Sequence, residues 1–313
     1  MTETPVDHVA VLGGGVIGAS WTALFLAAGR TVAVYDPAPD AEARVRAYVE
    51  RAWPALEDLG LAARGDAGRV SFHAAAAAAV AGAGFVQENV PERLEPKHAV
   101  IAEIEPALAP GAIVSSSTSG LTWEAIAEGF ADPSRFVLGH PFNPPHLIPL
   151  VEMTAGPVVA EETMARARAF YEDIGKVTIR LNKGMPGHVA NRLQAAIWRE
   201  AVHLVVEGVA TVEDVDKAVW AGPGLRWAAM GPTMLFHLGA GDGGLRAYCD
   251  HFRDTFNGWW DGMGEVYLTD AVIETLVAGV QDAAAGRTPA EIAAERDAMI
   301  VAMQTALRAR RQS

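Results

Sequence analysis

An α/β domain on a mostly parallel sheet, followed by a smaller all-helical domain, is the architecture this 313-residue sequence predicts. Three observations carry it. Apolar strand-like runs alternate with helical stretches through the first half. A glycine-rich turn joins the first run to the first helix. After "NKGMPGH" (residues 182–188) the strand pattern stops and helices follow. A chain of this length suits two domains better than one core.

The first half is read element by element. Strand-like runs lie at 8–12, 31–35, 69–72, 84–87, 112–115 and 136–139, and helical stretches at 17–28, 41–59 and 96–108. Strand–helix alternation with short connections makes a parallel sheet covered on both faces. The alanine run 74–79 reads as one short buried helix. Two further runs, 148–153 and 177–180, flank a helix at 161–174. Helices at 190–207, 212–221 and 290–309 complete the chain. The domain boundary is placed near Gly184, giving domains 1–184 and 185–313.

Composition narrows the function. Half of the residues are hydrophobic and a fifth charged, as in ordinary globular proteins. The net charge of −13 argues against nucleic acid or an anionic membrane as partner. There is one cysteine, Cys249, so no disulfide forms within the chain, and a reducing, cytoplasmic setting is expected. The start, "MTETPVDH", lacks the basic and apolar regions of a secretory signal. No run of ~20 apolar residues offers a membrane span. No residue set with metal-ligand spacing stands out, and no metal is expected.

Gly13, Gly15 and Gly18 form G-x-G-x-x-G, a weak pattern by itself. Here it follows the first strand and opens a helix, so the backbone of Val16 and Ile17 stands at a helix N-terminus. Asp36 ends the next strand, 18 residues beyond Gly18. In a dinucleotide site the first glycine makes the turn, the second admits the pyrophosphate, and the third lets helix and strand pack. A carboxylate at the second strand end accepts from a ribose 2′-hydroxyl and repels a 2′-phosphate. The expected ligand is NAD in a Rossmann-type domain, with a flavin as the alternative.

A second constellation lies in "VLGHPFNPPHLIPLVEM". His140 ends a strand and Glu152 stands in the next run, with prolines at 144, 145 and 149 stiffening the connection. A carboxylate that fixes a histidine tautomer and raises its basicity makes a general base for an alcohol proton. The same pair also reads as a structural ion pair. "SSSTSG" (residues 115–120) follows the fifth strand at the carboxyl edge, where open α/β sheets bind ligands, or else caps the next helix. Asn191 sits at the start of the long second-domain helix, where a cap or a buried hydrogen bond is the plainer reading.

These residues resemble the 3-hydroxyacyl-CoA dehydrogenase family, and in particular its branch holding carnitine 3-dehydrogenase, L-gulonate 3-dehydrogenase and lambda-crystallin. The likeness covers nearly the whole chain. It is carried by "LGGGVIGASW", "YDPAP", "AWPALEDLGL", "QENVPERLEPK", "SSSTSGL", "GHPFNPPHLIPLVEM", "PGHVANRLQ" and "GPGLRWAAMGP". The resemblance implies hydride transfer between NAD and C3 of a 3-hydroxy acid. It implies His140 as base, Glu152 as its orienting partner, Ser119 and Asn191 on the substrate oxygen, and Glu92, Lys97 and Ser117 near the cofactor. The substrate it implies is a small carnitine-like or gulonate-like acid. A 3-hydroxyacyl-CoA is the alternative, and a non-catalytic crystallin-like protein a distant one.

Two expectations concern the second domain. Arg226 is read as the partner of a free substrate carboxylate, with Trp227 beside it, against helix packing as the plainer reading. Trp198, Trp220, Trp227, Trp259 and Trp260 all lie in this half, which suggests a homodimer built through it.

Overall fold

The computed structural model describes residues 6–311. The first residues of the chain, read above as lacking a secretory signal, lie outside the described residues, as do residues 312–313. Eight strands form one sheet: β1 (His8–Leu12), β2 (Thr31–Tyr35), β3 (Val70–His73), β4 (Phe85–Glu88), β5 (Ile113–Ser116), β6 (Phe136–Pro141), β7 (Leu150–Thr154) and β8 (Val177–Arg180). Their order is β3-β2-β1-β4-β5-β6-β7-β8. Every neighbouring pair is parallel except β6 and β7.

The continuous apolar runs follow from burial on both faces. Val9 and Val11 pack into one core with helices α1 (Val16–Ala27), α2 (Ala41–Asp58) and α6 (Glu161–Asp173). Ala10 and Leu12, pointing the other way, pack with α3 (Ala76–Val80), α4 (Leu94–Ile104) and α5 (Trp123–Ala127). The alanine run is the short helix α3, with Ala76, Ala79 and Val80 buried. Helix α4 starts two residues before the expected Pro96, because proline is tolerated in a first helical turn. Strand β7 starts at Leu150 rather than at residue 148, because the Lys176 ammonium takes the Ile148 carbonyl.

The chain divides into two compact units, residues 6–189 with 297–311, and Ala190–Arg296. The second is helical. It holds α7 (Ala190–Val206), α8 (Val212–Val219), α9 (Leu225–Ala229), α10 (Pro232–Leu238), α11 (Gly244–Asp261), α12 (Asp270–Ala284) and the start of α13 (Pro289–Arg311). The boundary expected near Gly184 thus lies inside the first unit. The end of α13, expected with the helical domain, belongs to the first unit. There the Arg308 guanidinium donates to the Leu59 carbonyl at 2.8 Å, and the Gln304 amide donates to the Leu147 carbonyl. Among the hydrophobic side chains of residues 190–296, only Val202 and Val215 are buried. Among the described residues no helix is long and apolar enough to cross a membrane.

Candidate active site

The turn after β1 is built from glycines with different reasons. Gly13 has φ +89°, and a Cβ there would lie 2.7 Å from the Asn89 carbonyl oxygen. A Cβ on Gly18 would collide with the Gly13 carbonyl oxygen. Gly15 is extended, with φ −67°, and a Cβ there would meet no protein atom within 4 Å. Neither conformation nor packing within this unit asks for glycine at 15. The open space lies at the N-terminus of α1, whose first turn has no acidic residue and no side-chain cap. Unsatisfied N–H groups and a missing Cβ suit a pyrophosphate. Val16 stands exposed there and Ile17 is half-buried.

Asp36 is held rigidly at the end of β2. Its Oδ2 accepts the Gly14 N–H at 2.7 Å and its Oδ1 the Ala38 N–H at 2.9 Å. Each oxygen keeps a lone pair for a ribose hydroxyl. The Arg44 guanidinium lies 3.9 Å from Asp36, a neighbour that the sequence reading missed.

Lys97 lies on α4. It is fully buried and paired with Glu88 at 2.8 and 2.9 Å, and it also donates to the Val90 carbonyl at 3.2 Å. A buried ammonium needs a carboxylate, and Glu88, unremarked in the sequence, supplies it. These bonds hold the Lys97 ammonium inside the fold. The Ser117 hydroxyl donates to Asn89 Oδ1 at 2.7 Å and accepts from Trp21 Nε1 at 3.1 Å and Gln87 Nε2 at 2.9 Å. One proton and two lone pairs are thereby used, so this hydroxyl braces the turn.

Glu92 grips the neighbouring loop. Its Oε1 accepts from the Thr118 hydroxyl at 2.6 Å and from the N–H groups of Ser119 at 2.9 Å and Gly120 at 2.7 Å. Burial pushes the Glu92 carboxyl up, but the Thr118 hydroxyl, these N–H groups and the Lys97 charge outweigh it and hold it below the usual range. Ser119 is exposed at the tip of this loop.

His140 and Glu152 are direct cross-strand partners on the antiparallel pair β6–β7. Both are buried, and His140 Nδ1 lies 2.9 Å from Glu152 Oε2. A carboxylate only accepts, so Nδ1 carries the hydrogen and Nε2 keeps a lone pair. The other carboxylate oxygen accepts the Val189 N–H at 2.9 Å. The connection between the two strands is fastened from below. The Ser20 hydroxyl bonds His146 Nδ1 at 2.8 Å and accepts the His146 N–H at 2.9 Å. Lys176 donates to the carbonyls of Pro145 and Ile148 and lies 4.8 Å over the Trp21 ring.

The first unit thus gathers Glu92, the Ser119 loop, His140 and Glu152. It adds His188, buried, with its ring centroid 4.8 Å from that of His140. The sequence motif "PGHVANRLQ" contains His188, but only its tertiary ring contact marks it out. Asn191, Arg226 and Trp227 belong to the second unit. Asn191 is half-buried in the first turn of α7, and Arg226 is exposed and Trp227 half-buried on α9. Helix α9 follows a π-helical turn, Trp220–Gly224, that contains Pro223.

Two family models match the chain. The 3-hydroxyacyl-CoA dehydrogenase NAD binding domain covers residues 8–184, and the C-terminal domain of the same family covers residues 187–273. The chain is 47% identical over 296 residues to an L-carnitine dehydrogenase of Streptomyces coelicolor, covering 95% of this chain and 93% of that one. It is 44% identical over 306 residues to an L-carnitine dehydrogenase of Nocardiopsis dassonvillei, covering 98% and 93%. Among solved structures it is similar to 5-formyl-3-hydroxy-2-methylpyridine 4-carboxylic acid 5-dehydrogenase, an NAD+-dependent dismutase. There the TM-score is 0.82 and the identity 31%, over 97% of this chain and 99% of that one.

Proposed function

The chain belongs to the 3-hydroxyacyl-CoA dehydrogenase family, and from that premise we propose that it oxidises the 3-hydroxyl of a small free 3-hydroxy acid, L-carnitine first among candidates. It is an NAD-dependent oxidoreductase, and its cofactor is NAD. Gly15, the uncapped N-terminus of α1 and the oriented Asp36 carboxylate suit the pyrophosphate and the adenosine ribose. Bound there, NAD would supply the acceptor for the hydride that leaves C3 of the substrate.

The observation that carries the reading is the buried His140–Glu152 pair. His140 Nε2 takes the proton of the 3-hydroxyl, and Glu152 stabilises the imidazolium that forms. General base help of this kind is worth on the order of 10²–10⁴ in rate. The same groups return the proton when the 3-oxo acid is reduced. Ser119 and Asn191 are assigned to the substrate oxygen.

Carnitine is placed ahead of gulonate because the relatives above are L-carnitine dehydrogenases. A free acid is placed ahead of a CoA thioester because the chain is acidic and has few lysines to meet CoA phosphates. Of four lysines, Lys97 and Lys176 are buried and Lys217 is paired with Glu213 at 2.7 Å. Arg226 is assigned to the substrate carboxylate, which a guanidinium grips bidentately. Trp227, or Tyr248 with its ring neighbours Phe236 and Phe252, is suited to a trimethylammonium through cation–π attraction. A homodimer through the helical unit is supported by Trp198, Trp220, Trp259 and Trp260, each more than half exposed. Light scattering showing a concentration-independent monomer would remove it.

The deciding experiment is NADH formation with L-carnitine, L-gulonate, 3-hydroxybutyrate and 3-hydroxybutyryl-CoA. L-carnitine should give the highest kcat/KM. Arg226→Ala should raise KM for the free acid far more than for a neutral ester. A far higher kcat/KM for the CoA thioester than for any free acid refutes the substrate reading.

A further inference from the structure

Residues 188 and 189 touch three parts of the site. The His188 ring lies 4.8 Å from the His140 ring, centroid to centroid, tilted by 35°. Its Nε2 stands 3.3 Å from the carbonyl of Thr118, in the loop that carries Ser119. The next N–H, that of Val189, donates to the Glu152 oxygen that His140 does not use. His188 holds this place with φ +48°, in the left-handed region that a non-glycine residue rarely adopts.

A carbonyl only accepts, so His188 Nε2 carries the hydrogen, and the neutral ring keeps its lone pair on Nδ1. Among the described residues that nitrogen is buried without a hydrogen-bond partner. Such an atom costs stability, and a phenyl ring of similar shape would avoid the cost. Packing alone therefore gives no reason for an imidazole here. Burial pushes His188 below the ordinary histidine range, and the adjacent His140 pushes it further, against the pull of the Thr118 carbonyl, Glu152 and Glu92.

Glu152 holds one atom of the His140 ring, which leaves rotation about that hydrogen bond open. A second ring against the face of His140 removes that freedom. We propose that His188 is a positioning residue for the reaction. Its ring fixes the plane of the His140 imidazole, and its Nε2–H ties that imidazole to the loop bearing Ser119. The inference rests on the reading of His140 as the base. It adds a residue whose job is to aim the Nε2 lone pair at the substrate hydroxyl.

Three variants separate the two contacts. His188→Phe keeps a ring and loses the donor, His188→Gln keeps a donor of similar reach and loses the ring, and His188→Ala loses both. All three retain a Cβ, so none of them relieves the positive φ as a glycine would. With L-carnitine, His188→Ala should lower kcat by about 10- to 100-fold, the scale of a misaimed catalytic group. KM for NAD and the NADH dissociation constant should stay within about twofold, and Phe and Gln should each restore part of kcat. In parallel, 15N NMR of the histidine rings in the ligand-free protein should show His188 as one Nε2–H tautomer. The His140 signal should broaden in His188→Ala. Full kcat in His188→Ala, or an Nδ1–H tautomer for His188, overturns the proposal; inactivity of His140→Ala beside either result leaves the base reading standing. Near-normal activity of His140→Ala overturns both. The NMR arm needs no substrate, so it decides the inference even if L-carnitine is not oxidised.

Discussion

Glu152 bridges His140 and Val189, accepting the imidazole Nδ1–H on one carboxylate oxygen and a backbone N–H on the other, each at 2.9 Å. The carboxylate is therefore anchored from both sides before any substrate arrives. Cross-strand register sets the first contact, because His140 and Glu152 sit directly opposite on β6 and β7. Directly opposed residues stand within reach of each other's side chains. Preorganisation of this kind is what a base needs to meet a proton without rearranging.

His140→Ala is expected to abolish turnover while NADH still binds, since the dinucleotide turn lies on other strands. Glu152→Gln should lower kcat by a smaller but still large factor, about 10²-fold, within the range that proton-transfer catalysis spans. The amide still accepts from Val189 but no longer neutralises an imidazolium. Steady-state kinetics with L-carnitine and NADH fluorescence titration measure both. Near-normal activity in either variant contradicts the assigned roles.

The glycine turn separates ligand from fold. Gly15→Ala should leave the thermal midpoint unchanged, because its Cβ meets no protein atom and its φ is ordinary. NAD affinity should fall by tenfold or more, because the methyl group occupies the space meant for the pyrophosphate. Gly18→Ala should instead destabilise the protein through its clash with the Gly13 carbonyl. Equal NAD affinity in wild type and Gly15→Ala would mean that the open space is not the phosphate site.

Asp36→Ala should weaken NAD and relax its preference over NADP. A hydrogen bond to a charged group is worth about 1.5–3 kcal/mol, or roughly 10- to 100-fold in affinity. Part of the loss arises inside the protein, because Gly14 and Ala38 lose their acceptor. The cofactor ratio, kcat/KM with NAD over that with NADP, isolates the ribose contact. With Arg44 beside the vacated position, NADP should gain relative to NAD. An unchanged ratio argues against Asp36 as the ribose acceptor.

The legible parts of this protein were those set by local rules. The glycine spacing fixes a turn whatever lies around it, and Asp36 follows from the end of the next strand. His140 and Glu152 were legible because a proline-stiffened hairpin returns the chain at a short, definite spacing. The partners of Lys97 and Ser117 were not legible, because they come from other elements. Glu88 and Gln87 on β4, and Trp21 on α1, saturate them in ways that no sequence period records. His188 escaped for the same reason, since its ring contact with His140 is a tertiary fact. In the helical unit the tryptophans could be counted, but their exposure could not be read from spacing.

Lys176 leads to the last prediction. It is buried under the β6–β7 connection, where it donates to the carbonyls of Pro145 and Ile148. No carboxylate lies within salt-bridge distance of it among the described ion pairs. Burial, with a smaller push from the Arg308 charge, lowers the ammonium from 10.5 to about 7. Below pH 7 the group is charged in folded and unfolded chains alike, and the fold carries the full cost of burying it. Between about 7 and 10.5 the folded chain has shed the proton and the unfolded chain has not, so stability rises with pH. The neutral amine still has two hydrogens for the two carbonyls, so deprotonation strands no acceptor. Comparing urea midpoints of wild type and Lys176→Met from pH 7 to 10 isolates this group from others that titrate in the window. The wild type should gain on the variant by up to about 1.4 kcal/mol per pH unit. A difference that stays flat, or that shrinks as the pH rises, would show that Lys176 keeps its charge in the fold.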